Sequence, residues 1–160
     1  MRLGLLGGSF NPIHRCHLSI ARSARQLLQL DRVLFIPTGD PPHKQPGTLA
    51  AASHRHRMVQ LAIQDTPEFA LTDIEIQRSG KSYSIDTVRA IQQEYGPDTV
   101  LFFIIGLDAF LDLPSWKEAD TLLKSCHFVV ISRPSTSFQA MPTIPLFRDV
   151  PQTTLTALDE

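Results

Sequence analysis

Apolar residues come in short blocks separated by stretches of helical period. Arg2 to Leu6 is a brief, mostly apolar run ending at Gly7-Gly8, the pattern of a strand buried on both faces. From His14 the period changes. Leu18, Ala21, Ala24 and Leu28 recur at three and four, with Arg22, Arg25 and Gln29 opposite, which predicts an amphipathic helix. Val33 to Ile36 is a second strand, stopped by Pro37, and the stretch Thr38 to Thr48, with three prolines and two glycines, is a loop. Ser53 is placed to cap a helix that turns Met58, Leu61 and Ala62 inward, with Val59 beside them. Phe69 to Ile76 reads as extended, on Leu71, Ile74 and Ile76, and Arg78 to Lys81 as a turn. Ser84 opens a helix through about Tyr95 that Gly96-Pro97 closes. Thr99 to Ile105 is the most strand-like segment, with six consecutive apolar residues. A helix follows from about Lys117 to Lys124, then a strand from Phe128 to Ile131, and a last extended segment begins near Val150.

The order β-α-β-α-β-α-β-α-β predicts an α/β fold: a Rossmann-like, doubly wound parallel sheet with helices on both faces. In such sheets ligands bind outside the carboxyl ends of the strands, at the topological switch point. The loops after Leu6 and after Ile105 fall there.

Composition adds limits. A chain of 160 residues is one domain at roughly 100–200 residues per domain. With 42% hydrophobic and 19% charged residues it is neither a disordered tail nor a fibre. The longest apolar run, Val100 to Leu107, is far short of the ~20 residues that span a bilayer, and no secretory leader opens the chain. Fifteen Lys and Arg against sixteen Asp and Glu give a net charge of −1. This is not the basic field of a nucleic-acid coat, so an anionic ligand would need a local site. Cys16 and Cys126 match no zinc spacing and no disulfide framework, which points to a reducing cytoplasm. All eight glycines lie at or before Gly106, while four of the twelve prolines fall between Pro134 and Pro151.

The loop Gly7 to His14 is the candidate anion site. Its glycines let backbone approach a bulky anion, and the helix start beyond it offers unpaired N–H groups and a positive dipole end. It lacks the third glycine of the dinucleotide fingerprint and the Gly-Lys-Ser/Thr of a Walker loop, which argues against a dehydrogenase and a P-loop ATPase. His14 and His17, three apart on one helical face, can both donate to phosphate oxygens. Two partly exposed helix-start histidines are the plainer alternative, and zinc lacks a nearby third ligand. His54-Arg55-His56-Arg57 is a basic cluster at a helix start, where the dipole disfavours cations. A bound anion or a neighbouring acid would offset it, while His54 and His56 read as a solvated face.

Gly7-Gly8-Ser9-Phe10-Asn11-Pro12-Ile13-His14-Arg15-Cys16-His17 resembles the G-G-[TS]-F-[DN]-P-x-H-x-G-H signature of bacterial nicotinate-nucleotide adenylyltransferases, within the HxGH nucleotidyltransferase superfamily. Pro41-Pro42-His43-Lys44 resembles the family's P-P-H-K loop, and Arg57-Met58, imperfectly, its R-x-x-M helix start. Ser79 to Thr87 resembles S-G-x-S-Y-T-x-D-T. Ile105-Gly106-Leu107-Asp108 with Leu113 and Trp116-Lys117 resembles I-G-x-D-x-x-x-x-L-x-x-W-K, and Ser132-Arg133-Pro134 resembles x-R-P. The resemblance covers about residues 1–135, and its ordered motifs are far more specific together than any one alone.

The resemblance implies adenylyl transfer from ATP to nicotinate mononucleotide, giving deamido-NAD and pyrophosphate, as in NAD biosynthesis. It makes His14 and His17 catalytic. It assigns Gly7, Gly8, Ser9, Phe10, Gly106 and Asp108 to ATP, and Asn11, Lys44, Tyr83, Ser84, Trp116 and Arg133 to nicotinate mononucleotide. Asp108 suits a ribose hydroxyl or the magnesium shell, or caps the next helix. Mg²⁺ is expected to come with ATP, with no metal site built by the protein. The partners are these two small molecules, with no nucleic acid and no membrane, and a homo-oligomer stays open.

Two departures stand out. Cys16 replaces the glycine between the histidines, where a side chain either crowds the triphosphate or points away. The family's late I-S-S-T-x-I-R motif is missing, with only a faint echo at Thr153-Thr154-Leu155. The chain is therefore expected to be a single nucleotidyltransferase domain over 1–160, C-terminally truncated and lacking the phosphate-binding motif and final helices. The alternatives are a nucleotide-binding domain with little turnover, or an adenylyltransferase for nicotinamide mononucleotide or phosphopantetheine.

Overall fold

The computed structural model describes residues 1–45, 47–132 and 155–159. Strands β1 (Arg2–Gly8), β2 (Arg32–Pro37), β3 (Phe69–Leu71), β4 (Val100–Gly106), β5 (His127–Ser132) and β6 (Leu155–Asp159) pair in the order β3-β2-β1-β4-β5-β6. Every pairing is parallel. This is the doubly wound order with its reversal between β1 and β4, as the β-α alternation predicts. β6 extends the expected sheet by one strand and accounts for part of the segment read as extended.

Alternate residues of each strand supply two cores. Leu3 and Leu5 of β1, with Phe103 and Ile105 of β4, face helices α4 (Ser84–Tyr95), α5 (Leu107–Leu111) and α6 (Ala119–Ser125). Leu6, Phe35 and Ile104 face α1 (Arg15–Leu28) and α2 (Ala52–Ile63). Covering both faces is what makes these strands read as continuous apolar runs. Each fully buried Leu, Ile or Phe contributes about 1.5–3 kcal/mol relative to an exposed one.

Three elements depart from expectation. The Phe69–Ile76 stretch is a three-residue strand followed by the short helix α3 (Ile74–Gln77). The turn starts because the Ile74 N–H donates to Thr72 Oγ1 at 3.3 Å. The first residue of α2 follows Ala51, not Ser53, and its buried stripe is Arg55, Val59 and Ile63. Leu61 and Ala62 are exposed and Met58 is half-buried. α5 begins directly after β4, with Gly106 as its cap residue and Asp108 one place inside the first turn, so Asp108 is not the cap. Among the described residues no helix is long and apolar enough to cross a membrane.

Candidate functional site

The switch point opens into a cleft of about 510 Å³, within the range that holds a nucleotide-sized ligand. The carboxyl ends of β1 and β4 form its floor, through Gly7, Gly8 and Gly106. One wall is Ser9 and His17, and another is Tyr83, Ser84, Ser115, Trp116 and Lys117. The Pro41-Pro42-His43-Lys44 loop forms a rim. Nine of the residues singled out from sequence thus meet here: Gly7, Gly8, Ser9, His17, Lys44, Tyr83, Ser84, Gly106 and Trp116.

Others are placed elsewhere. His14, Asn11 and Asp108 are exposed and do not line the cleft. The Asn11 side-chain oxygen is engaged by the Ala50 N–H at 3.1 Å. Phe10 is buried beneath the loop, with φ of 46°, and its ring packs edge-on to His17 at 5.0 Å and against Phe35 at 5.8 Å. Cys16 is exposed and outside the cleft lining, so its side chain does not crowd the site. Burial pushes the Cys126 thiol up to about 12, as befits an inert core residue. Arg133 and Thr153-Thr154 lie outside the described residues.

His17 is fixed with care. The His14 N–H donates to its Nδ1 at 3.2 Å, and the two imidazole rings lie 3.8 Å apart. An Nδ1 that accepts puts the proton of neutral imidazole on Nε2, leaving an N–H donor at the far edge of the ring. Burial, aided by His14, lowers the His17 pKa from 6.5 to about 4. The ring is therefore neutral near pH 7.

The opposite wall is held by side chains. Lys117 Nζ sits 2.8 Å from Asp86 Oδ2 and 4.8 Å from the centre of the Tyr83 ring, which ties the Trp116 segment to the start of α4. Trp116 is half-buried and meets Phe103 edge-on at 6.4 Å. The rim is strapped on through Asp40. Its N–H donates to Ser82 Oγ at 3.2 Å, its carbonyl accepts from the Ser82 N–H at 2.8 Å, and its carboxylate pairs with Lys81 at 2.9 Å.

Glu75 goes unmarked in the sequence, and Arg55 figures there only within the basic cluster His54 to Arg57. Glu75 lines the cleft and is buried, and burial raises its carboxyl pKa against the opposing hydrogen bond from Thr87 (2.8 Å) and the nearby Arg78. It sits in a short I-E-I-Q pattern that resembles an exposed strand edge. Arg55 is 1% exposed. Its Nε donates to the Ala50 carbonyl at 2.9 Å, and its two terminal nitrogens donate to Ser9 at 2.7 Å and Thr38 at 2.8 Å. Among the described residues no acid pairs with it, which leaves a bound anion as the remaining way to offset the basic cluster. The usable signal was spacing: Arg55, three before Met58, fits R-x-x-M, and Arg57 does not.

A doubly wound sheet whose switch point opens between a glycine loop with an oriented histidine and a tyrosine–tryptophan wall defines an α/β domain with its ligand cleft at the switch point. More particularly, residues 5–154 match the family model described as cytidylyltransferase-like, and the chain belongs to that family. Among curated relatives, a probable nicotinate-nucleotide adenylyltransferase of Citrifermentans bemidjiense is 49% identical over 142 residues, 88% of this chain and 65% of the relative. One from Moorella thermoacetica, named likewise, is 45% identical over 133 residues, 83% of this chain and 61% of the relative. The chain thus spans a little under two thirds of the length of these relatives. Among solved structures, the Plasmodium falciparum nicotinic acid mononucleotide adenylyltransferase complexed with NaAD superposes with a TM-score of 0.81. The match covers 99% of this chain and 75% of that one at 21% identity, a likeness of fold.

Proposed function

We propose that this chain carries the adenylyl-transfer site for ATP and nicotinate mononucleotide. The observation that carries the reading is one cleft at the switch point holding both halves of such a site. These are the Gly8-Ser9 loop with His17 for a triphosphate, and Tyr83, Ser84 and Trp116 for a pyridine nucleotide. The names of the curated relatives support the choice of substrates.

The chemistry suits these residues. The attacking phosphate is already an anion near neutral pH, so no strong base is required. The obstacles are repulsion between anions and charge building on the α-phosphate. A donor at His17 Nε2 addresses the second, and an in-line arrangement supplies much of the rest. His14 joins as the residue whose N–H orients His17, and its exposed ring, 3.8 Å from that of His17, is assigned to phosphate beside it. Gly106 lets ribose approach the end of β4, and Asp108 stands just beyond. Lys44 on the rim and Arg133 are assigned to substrate phosphate, Asn11 to holding the loop beside it.

Among the described residues no cluster of three His, Cys, Asp or Glu could hold a metal. The Mg²⁺ of the proposal arrives chelated by the triphosphate and keeps several waters, with Asp108, two residues after the cleft-lining Gly106, assigned to its shell. Bound there, Mg²⁺ would neutralise phosphate charge. Two free thiols, one exposed, fit a reducing cytoplasm.

Trp116 is the only tryptophan, so it reports directly on its own pocket. A stacked pyridine ring should quench its fluorescence. Titration with nicotinate mononucleotide is expected to give saturable quenching, and the amide analogue a weaker response at equal concentration. Unchanged emission at saturating nucleotide would contradict the placement of the ring at Trp116. The competing reading, a domain that binds both nucleotides but turns over slowly, is separated from the first by the release of pyrophosphate.

A further inference from the structure

We propose that Arg55 is a positioning residue for phosphate binding, which holds the Ser9–Phe10 turn so that its N–H groups present outward to the nucleotide. The proposal rests on the adenylyltransferase reading and deepens it.

The guanidinium joins three segments of the chain, two of them remote from it in sequence. It reaches the carbonyls of Ser9 after β1, Thr38 after β2 and Ala50 before α2. Ser9 and Thr38 both line the cleft. The Thr38 N–H closes the same junction by donating to the Gly8 carbonyl at 2.9 Å. In a trans peptide the N–H points opposite to the C=O, and among the described residues only Asn11-Pro12 is cis. Locking the Gly8 carbonyl onto Thr38 therefore turns the Ser9 N–H away from β2. Locking the Ser9 carbonyl onto Arg55 turns the Phe10 N–H away from α2. Neither N–H has a protein partner among the described residues. Two successive outward N–H groups form a nest that favours an anion, a few residues ahead of the start of α1.

The charge points the same way. Arg55 is buried with no acid paired to it among the described residues, and its partners are carbonyl dipoles alone. Burial lowers its pKa from the ordinary value, yet guanidinium stays protonated. A buried cation lacking a counter-charge is costly in the free protein, and an anion arriving on the loop above it offsets that cost. Lysine would keep the charge but cannot serve three carbonyls in one plane. Arg55→Lys thus separates geometry from charge, and Arg55→Met removes both.

The test measures ATP affinity by calorimetry and nicotinate mononucleotide affinity by Trp116 quenching, in wild type, R55K and R55M, with circular dichroism to confirm folding. Hydrogen exchange of residues 8–13 is followed in the unliganded proteins. The expected result for R55K is a Kd for ATP raised at least about tenfold, a Kd for nicotinate mononucleotide within about threefold of wild type, and faster exchange confined to the loop. Should R55M fail to fold, R55K decides. An ATP affinity within threefold of wild type in folded R55K, or equal weakening of both ligands, overturns the proposal while leaving the functional reading standing. A wild-type chain that binds no ATP removes both together.

Discussion

His17→Ala is expected to lower turnover by roughly 10²–10³-fold, the usual cost of losing one oriented donor to a transition state. The structure ties the effect to one atom. Nδ1 is occupied by the His14 N–H, so the donor is Nε2. His17→Gln offers an amide N–H at similar reach and should recover part of the loss, whereas a merely structural role would not discriminate between the two. Steady-state kinetics with saturating ATP checks this. Near-wild-type turnover in a folded H17A protein would contradict it. The same ring has a pH signature. Its folded pKa is about 4, below the ordinary 6.5, so the unfolded chain binds more protons between those values. The stability that neutral His17 contributes is present above about pH 6.5 and is lost as pH falls through about 4. The melting temperature should therefore drop less between pH 7 and pH 5 in H17Q than in wild type.

Gly39→Ala is expected to cost about 3 kcal/mol, at the upper end for overpacking. That corresponds to a fall in Tm of roughly 6–12 °C for a chain of this size. A Cβ at Gly39 would stand 2.9 Å from the Glu75 carbonyl carbon and closer still to its oxygen, with Ser82 Oγ at 3.2 Å. Two of these three atoms are backbone of α3, so no flexible side chain can yield. The same displacement breaks the Asp40–Ser82 strap and moves the Pro41–Lys44 rim away from Tyr83. Weaker nicotinate mononucleotide binding should accompany the lower Tm. Thermal denaturation followed by circular dichroism reads the first effect, and a Tm within 2 °C of wild type would show that the two segments are not packed as described.

What could be read from the sequence follows from what each signal depends on. β2 and β4 are buried on both faces, so their apolar runs are unbroken and their pairing order follows from the β-α alternation. The glycine loop, Tyr83-Ser84 and Trp116 were legible because motif spacing survives without tertiary information. α3 was not, because I-E-I-Q alternates like a strand, and its turn is held by the Thr72 hydroxyl at its start and by the Gln77–Asp73 bonds across it. The face of α2 was misjudged for a related reason. Its buried stripe, at intervals of four, begins with a charged residue, and hydrophobic patterning discounts a charge. Arg55 can be buried because three carbonyls converge on it, one from nearby Ala50 and two from the distant Ser9 and Thr38. That convergence belongs to the folded chain and leaves no trace in local composition. The side chain of Cys16 posed a question of direction, which only the orientation of α1 answers.

The central claim is chemical, and one measurement meets it head on. The chain is incubated with ATP, Mg²⁺ and nicotinate mononucleotide, and pyrophosphate and dinucleotide are quantified together. The account predicts that both accumulate in equal amounts over many turnovers, that neither forms without the pyridine nucleotide, and that H17A suppresses both in parallel. Saturable binding of both nucleotides with no pyrophosphate released would contradict it, and would leave a nucleotide-binding domain in place of a transferase.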